Sequence, residues 1–345
     1  MRVGVLTGGG DCQGLNAVLR AVVLTHPEHE VTAYLDGWRG VLENATRTLR
    51  WPDVRDLLSV GGTVIGSSRT NPLKKENGLE LARANLTAVD GLVAIGGDDT
   101  LSVAKALAET GFPTVGVPKT IDNDLDATDL TFGYTTAVQI ATEALDRLRT
   151  TALSHGRIVV CEVMGRHAGW IAYGAGIAGG ADAVLVPEET FSVDALAEHL
   201  AARRAAGARA AIVVVAEGAA AEGGDVATST QELDAFGHVR LGGVGEQLAA
   251  ELERRTGWEA RHAQLGHIQR GGDPVAFDRV LATRFGVVAT DALLAGESGV
   301  MASARGTEVT LVPLGEAVAA NRVLGAAELE FLRRVTGFPT TRRTS

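Results

Sequence analysis

A chain of 345 residues exceeds one ordinary domain and suits two, each large enough to bury its own core. With 46% hydrophobic and 21% charged residues and no apolar run near bilayer length, its composition fits neither a disordered chain nor a membrane protein. A formal charge of -10, from 42 acidic and 32 basic side chains, argues against a generic nucleic-acid binder but leaves room for a small phosphorylated ligand in a local basic pocket.

Met1 to Gly10 reads as a buried strand entering a glycine turn, with neither the charged start nor the cleavage site of a signal peptide, so a cytoplasmic location is expected. Apolar strand, glycine- or Asp-containing turn and Ala/Leu-rich helix then recur, the pattern of parallel α/β structure. Val3 to Thr7 precedes a helix from about Gly14 to Thr25, and Gly91 to Ile95 precedes Thr100 to Thr110. Further strands are expected at Val31 to Leu35, Thr114 to Val117, Arg157 to Val163, Ala183 to Val186 and Ala210 to Val215. One open sheet would hardly hold them all, which predicts two doubly wound, Rossmann-like lobes with mostly parallel sheets. A helix from about Thr135 to Ser154 is expected to cross between them, Glu217 to Thr230 to form a surface loop, and the tail after Val335, with Arg342 and Arg343, to fray. Only Cys12 and Cys161 are present, which is no disulfide framework; the eight histidines show no His-Glu-x-x-His pattern and no pair set for zinc, and are expected in surface or packing roles.

Turns that follow strands carry the chemistry in such folds. The first, Thr7-Gly8-Gly9-Gly10-Asp11-Cys12-Gln13-Gly14, lets backbone N–H groups approach an anion at a helix N-terminus. It meets a dinucleotide fingerprint only in part, because Gln13 stands where glycine is needed, although Asp36 could mimic the ribose-binding acid; Gly61 to Ser68 has a Walker-like spacing with Ser67 in place of lysine. The second turn, Gly96-Gly97-Asp98-Asp99-Thr100, places two carboxylates at the mouth of a helix. One is accounted for by N-capping, and the other points to a hard divalent cation such as Mg²⁺. The third, Pro118-Lys119-Thr120-Ile121-Asp122-Asn123-Asp124, combines a cation with acids, as base-assisted phosphoryl transfer to a hydroxyl requires.

These three turns, in this order, resemble the phosphofructokinase family, and the likeness runs from Val3 to about Ala292. Arg157 to Arg166 looks like the family's sugar-phosphate strand, Ala216-Glu217-Gly218 like its sugar-hydroxyl ligand, and Gly266-His267-Ile268-Gln269-Arg270-Gly271-Gly272 like its phosphate clamp. The resemblance implies the phosphofructokinase fold, with a donor and Mg²⁺ lobe at about 1–135 and 250–295, a fructose 6-phosphate lobe at about 136–249 and 296–325, and a C-terminal helix and tail at 326–345. It makes Asp122 the base for the sugar 1-hydroxyl and Asp98 the Mg²⁺ ligand, with Gly10, Arg69, Asp99 and Lys119 at the phosphoryl donor. Thr120, Ile121, Asp122, Met164, Gly165, Arg166, Glu217, His267, Ile268, Gln269 and Arg270 would hold fructose 6-phosphate. Arg157 and Arg261 would reach into the neighbouring subunit's site in a homodimer or homotetramer.

The family divides by donor. Its ATP-using members carry glycine in the place of Asp99, leaving room for the α-phosphate, whereas its pyrophosphate-using members carry Asp; Lys119 resembles the latter's phosphoryl-stabilising lysine. Leu42 and Thr70 stand where ATP users have aromatic residues, and Leu24 and Val60, beside a retained Arg20, break the nucleotide effector site. The expected activity is therefore reversible, pyrophosphate-dependent phosphorylation of fructose 6-phosphate, without nucleotide activation. Gln13, where the family commonly has proline, is expected to loosen the donor loop. The alternatives are an ATP-dependent kinase, a non-catalytic sugar-phosphate sensor, and a dinucleotide oxidoreductase that would leave Asp98, Asp99, Lys119 and the His267 to Gly272 motif without work.

Overall fold

Arg2–Thr7, Gly91–Gly96 and Thr114–Thr120 are buried along almost their whole length, as strands covered on both faces must be, and they pair side by side in parallel. They form the centre of an eight-stranded sheet in a computed structural model that describes residues 1–224 and 243–342. From one edge the order is Glu308–Pro313, Val300–Arg305, Thr114–Thr120, Gly91–Gly96, Arg2–Thr7, Glu30–Tyr34 and Thr46–Leu49, with Phe132–Gly133 paired to the end of Thr114–Thr120. The two outermost pairings are antiparallel. The chain leaves Arg2–Thr7 for Glu30–Tyr34 on one side and returns later to Gly91–Gly96 on the other. The turns after Arg2–Thr7 and Gly91–Gly96 thus flank a topological switch point, where an open α/β sheet leaves a crevice.

The helices that follow these turns bury apolar faces on the sheet. Leu101, Val103, Ala104 and Leu107 of Asp98–Glu109 pack with Leu6, Leu92, Ala94 and Met301. Helices Leu15–Thr25 and Ala276–Leu294 lie against one another. Gly286 permits their close approach, since a Cβ there would fall 2.7 Å from Ala21 Cβ and 2.9 Å from the Val18 carbonyl oxygen.

This first unit comprises Met1–Thr136 and Arg270–Asn321, and a second comprises Ala137–Gln269 with the chain from Arg322 onward. The second holds a four-stranded parallel sheet in the order Ala260–Gln264, Ile158–Val163, Ala211–Ala216 and Ala183–Leu185. Val160, Leu185, Val213 and Val215 pack against Leu196, Leu200, Leu248 and Leu252 from the flanking helices Val193–Ala205 and Val244–Thr256. Among the described residues no helix is long and apolar enough to cross a membrane.

Several expectations need correction. Residues 250–269 belong to the second unit and 296–321 to the first, because Ala260–Gln264 pairs with Ile158–Val163 while Val300–Arg305 pairs with Thr114–Thr120. The third strand does not stop at Val117: it runs to Thr120, with Lys119 and Thr120 held by Phe132 and Gly133. The tail after Val335 is docked as far as it is described, with Phe338 buried in the second core and Thr340 donating a hydrogen bond to Glu189; Arg343 lies outside the described residues. Within the expected loop 217–230, Ala220–Ala221 pairs with Glu189–Phe191, and residues 225–230 lie outside the described residues.

Candidate active site

The glycine turn after Arg2–Thr7 is tied down from three directions. Gly9 N–H donates to the Ser68 carbonyl at 2.9 Å, Ser67 Oγ donates to the Gly9 carbonyl at 2.6 Å, and Gln13 Nε2 donates to the Gly271 carbonyl at 2.6 Å. Ser67, in the Walker-like segment, is therefore a buttress of this turn. Gln13, fully buried, fastens the loop that its replacement of proline was expected to loosen. Lys119 Nζ donates to the Gly10 carbonyl at 2.5 Å, and a Cβ on Gly10 would lie 2.9 Å from Arg270 Nη1, so any larger residue would displace that guanidinium. Arg270 also donates to the Asp11 carbonyl at 3.3 Å. Arg270 lies beside the glycine turn, within the first unit. Exposed Arg69 directly follows Ser68, which is bonded to the turn.

Two cations thus face one glycine turn. Burial pushes the Lys119 ammonium below its ordinary range and Arg270 adds to this, with Asp122 and Asp124 opposing. An anion seated on the turn would relieve both effects.

Opposite charge gathers one turn away. Asp98 and Asp99 begin helix Asp98–Glu109, but Gly97 occupies the cap position and no side chain caps it, so N-capping accounts for neither carboxylate. Local desolvation, then the charges of Asp99 and Asp124, push the Asp98 carboxyl up from its ordinary value. Hard oxygens that repel one another at a helix N-terminus fit a divalent cation. Asp99 accepts from Asn71 Nδ2 at 3.0 Å and lies 3.8 Å from Lys74 Nζ. Both partners escaped the sequence reading, since Asn71 before Pro72 reads as a cap, which its Oδ1 does supply to the Leu73 N–H.

In the third turn, Asp122 N–H donates to Thr120 Oγ1 at 3.1 Å, and that hydroxyl donates to Asp124 at 3.0 Å. Asn123 adopts a left-handed conformation, φ 52°, and its Oδ1 accepts from the Thr131 N–H at 3.0 Å. Asp122 is half-buried on this pinned loop. Ile121 is wholly buried and anchors the loop in the core.

In the second unit, Ile158–Val163, Ala211–Ala216 and Ala260–Gln264 point the same way, which brings their following segments to one sheet edge: Met164 to Arg166, Glu217, and His267 to Gln269. Glu217 N–H donates to the Val163 carbonyl at 2.9 Å and Gly218 N–H to the Gly165 carbonyl at 3.1 Å. Gln269, fully buried, accepts from Met164 N–H at 3.3 Å and donates to the Gly266 carbonyl at 3.0 Å, which makes it a brace between two of these segments. His267 and Ile268 are exposed. Arg157 and Arg261 are not at this edge. They lie toward the opposite ends of their strands, where Glu259 bridges them at 3.3 and 2.8 Å.

Other candidates have local roles. Asp36 pairs with Arg39 at 2.7 Å, Arg20 stacks over Trp51 and donates to the Arg55 carbonyl, and Leu42 packs against the first core.

Comparison with known proteins bears on the whole arrangement. The family model described as phosphofructokinase matches residues 2–293. A protein of Amycolatopsis methanolica named pyrophosphate--fructose 6-phosphate 1-phosphotransferase is 59% identical over 324 residues, 92% of this chain and 95% of that one. An ATP-dependent 6-phosphofructokinase 3 of Streptomyces coelicolor is 51% identical over 324 residues, with 92% and 95% covered. The solved structure of phosphofructokinase from Saccharomyces cerevisiae superposes with a TM-score of 0.79 at 34% identity, over 92% of this chain and 45% of that one. With a family match over most of its length and such relatives, this chain belongs to the phosphofructokinase family.

Proposed function

We propose that the protein transfers a phosphoryl group reversibly between pyrophosphate and O1 of fructose 6-phosphate, forming fructose 1,6-bisphosphate and phosphate, as a cytoplasmic homo-oligomer in glycolysis and gluconeogenesis. The observation that carries the donor choice is Asp99, a carboxylate held by Asn71 beside the metal-binding acid, where the family's ATP users have glycine. The greater identity to the pyrophosphate-named relative than to the ATP-named one supports the same reading.

In the forward direction Asp122 accepts the proton of the sugar 1-hydroxyl as that oxygen attacks the terminal phosphorus, and the bond to the bridging oxygen breaks to release phosphate. Lys119 and Arg270 face the glycine turn that would seat the donor, and their positive charge stabilises the transferring group. Asp98, with Asp99 and Asp124 nearby, would hold Mg²⁺, which supplies neutralisation of phosphate charge when bound. Arg69 would assist at the donor. Thr120 would contact the sugar, on the loop that Ile121 anchors; Met164, Gly165, Arg166, Glu217, His267, Ile268 and Arg270 would recognise fructose 6-phosphate, with Gln269 bracing them. Arg157 and Arg261, away from that edge, would serve the site of a neighbouring subunit.

Purified protein assayed with each donor tests the reading: turnover with pyrophosphate and little with ATP is expected, and the reverse would overturn it. Two further outcomes are expected from the same assay. Gln13→Ala removes a buried hydrogen bond worth about 1–3 kcal/mol, which should raise the donor KM roughly tenfold and leave the sugar-phosphate KM nearly unchanged; an unchanged donor KM would show that the Gly271 tether does not shape the turn. Because the Lys119 pKa is depressed, its positive charge is lost as pH rises sooner than for an ordinary lysine. The alkaline limb of kcat/KM for pyrophosphate, which reports the free enzyme, should therefore fall early and shift upward in Lys119→Arg, so identical limbs in the two proteins would assign it to another group.

A further inference from the structure

His26 ends helix Leu15–Thr25 as its C-terminal cap, and the turn that follows brings His29 back beside it, His29 N–H donating to the His26 carbonyl at 3.0 Å. Glu28 stands between the two rings. Its Oε1 is 3.3 Å from His26 Nδ1 and 3.6 Å from His29 Nε2, and one ligand atom from each of the three residues lies within 4.8 Å of the others. As hydrogen bonds both distances are long. As edges of a tetrahedron they are apt: nitrogen and oxygen ligands about 2.0–2.1 Å from Zn²⁺ stand roughly 3.3–3.4 Å apart.

The second ring nitrogen of His26 supplies an independent observation. Nε2 is 2.8 Å from Asp291 Oδ1, on helix Ala276–Leu294, which leaves Nδ1 directed at Glu28. A carboxylate that takes the far N–H of an imidazole fixes its tautomer and orientation and strengthens it as a ligand, the usual outer partner of a metal-bound histidine. His29 Nδ1 lies 3.0 Å from the Met1 amino nitrogen; for Nε2 to bind a metal the ring hydrogen must sit on Nδ1, so the amine must be neutral or turn away, and metal affinity should rise with pH.

We propose that His26, Glu28 and His29 form a transition-metal site of the Zn²⁺ class, with water completing the coordination and Asp291 supporting His26. Two imidazoles select Zn²⁺ and its neighbours in the series over Mg²⁺, which prefers an all-oxygen shell. The site is separate from the candidate Mg²⁺ carboxylates and does not rest on the proposed reaction. It joins the C-terminal ends of two helices that pack together through Gly286, while the donor turn precedes the opposite end of the first. An ion here would fix the turn after the first helix and strengthen its His26–Asp291 bond to the second, acting on stability rather than on turnover.

The test is calorimetric titration of Zn²⁺ into the full chain after chelator treatment, with Mg²⁺ kept saturating so that the acidic site is filled. One Zn²⁺ per chain is expected, with a rise in the thermal unfolding midpoint. His29→Gln and Glu28→Gln should each weaken binding by at least about tenfold and abolish the rise, whereas Asp291→Asn should weaken it about 10- to 100-fold. Turnover with Mg²⁺ should be unchanged in His29→Gln. Absence of stoichiometric Zn²⁺ binding, or binding that survives both His29→Gln and Glu28→Gln undiminished, overturns the proposal. Because His26 closes a helix, the decisive variants are those in the turn beyond it.

Discussion

Asp122→Asn is expected to lower kcat by roughly 10²- to 10⁴-fold, the range that a positioned general base contributes, with a far smaller change in the KM for fructose 6-phosphate. The amide keeps the size of the carboxylate and its hydrogen-bonding reach but cannot take the hydroxyl proton at neutral pH. The loop around it is set in advance: Thr120 Oγ1 receives the Asp122 N–H, and Asn123 is anchored through Thr131. A substitution confined to the charge should therefore leave this geometry intact, and the thermal unfolding midpoint should stay within a degree or two of the parent. Measurement of kcat and KM together with that midpoint checks the assignment. A loss of kcat below tenfold in a folded variant would remove Asp122 from the role of base.

Thr120→Val probes the loop rather than the base. It deletes the acceptor of the Asp122 N–H and the donor to Asp124 while preserving shape, so it should lower kcat less than Asp122→Asn does and leave the group that controls the acidic limb in place.

The central architecture was legible because its strands are buried on both faces. A run such as Leu92 to Ile95 has no polar face to present, and glycine turns directly after such runs could be located by eye. Edge strands gave no such signal. Ala260–Gln264 contains Arg261, His262 and Gln264, all exposed, and only its pairing with Ile158–Val163, about a hundred residues earlier, defines it. The swap of 250–269 and 296–321 between units has the same origin, since pairing partners far apart in sequence leave no local trace.

Within the site, motif membership was legible but the division of labour was not. Ile121, Gln269 and Arg270 stand in motifs that indicate sugar-phosphate contacts; the structure adds that Ile121 is buried, that Gln269 bonds the Gly266 carbonyl, and that Arg270 reaches the Asp11 carbonyl, none of which the motifs mark. Gln13 takes its role from Gly271 and Asp99 its orientation from Asn71, contacts that no linear pattern marks. His26 and His29 sit past the end of a helix rather than along one face, so no linear pattern marks the proposed site. Their support comes from Asp291, 265 positions away in the chain.

Asp99→Gly should raise kcat/KM with ATP by about 10- to 100-fold and lower it with pyrophosphate. Two unit charges 4 Å apart repel by about 1 kcal/mol in water and about 4 kcal/mol at the effective dielectric of a protein surface. The Asp99 side chain is 63% exposed, so solvent screening places its effect on a nearby phosphate toward the lower part of that range, one to two powers of ten in rate. Steric relief adds to this, because glycine empties the space that a carboxylate anchored by Asn71 now fills. Asp99→Asn separates the two causes: it removes the charge and retains the bulk. If repulsion dominates, Asp99→Asn gains ATP activity nearly as well as Asp99→Gly does, and the advantage over the parent shrinks as salt is raised. If bulk dominates, only Asp99→Gly gains, and salt has little influence. The pyrophosphate reaction should weaken in both variants, since Asn71 and Lys74 lose the carboxylate they share and the first turn of helix Asp98–Glu109 loses a favourable charge. Steady-state kinetics with both donors at low and high ionic strength decide among these cases. An unaltered ratio of ATP to pyrophosphate activity in Asp99→Gly would mean that donor choice is made elsewhere in the glycine turn.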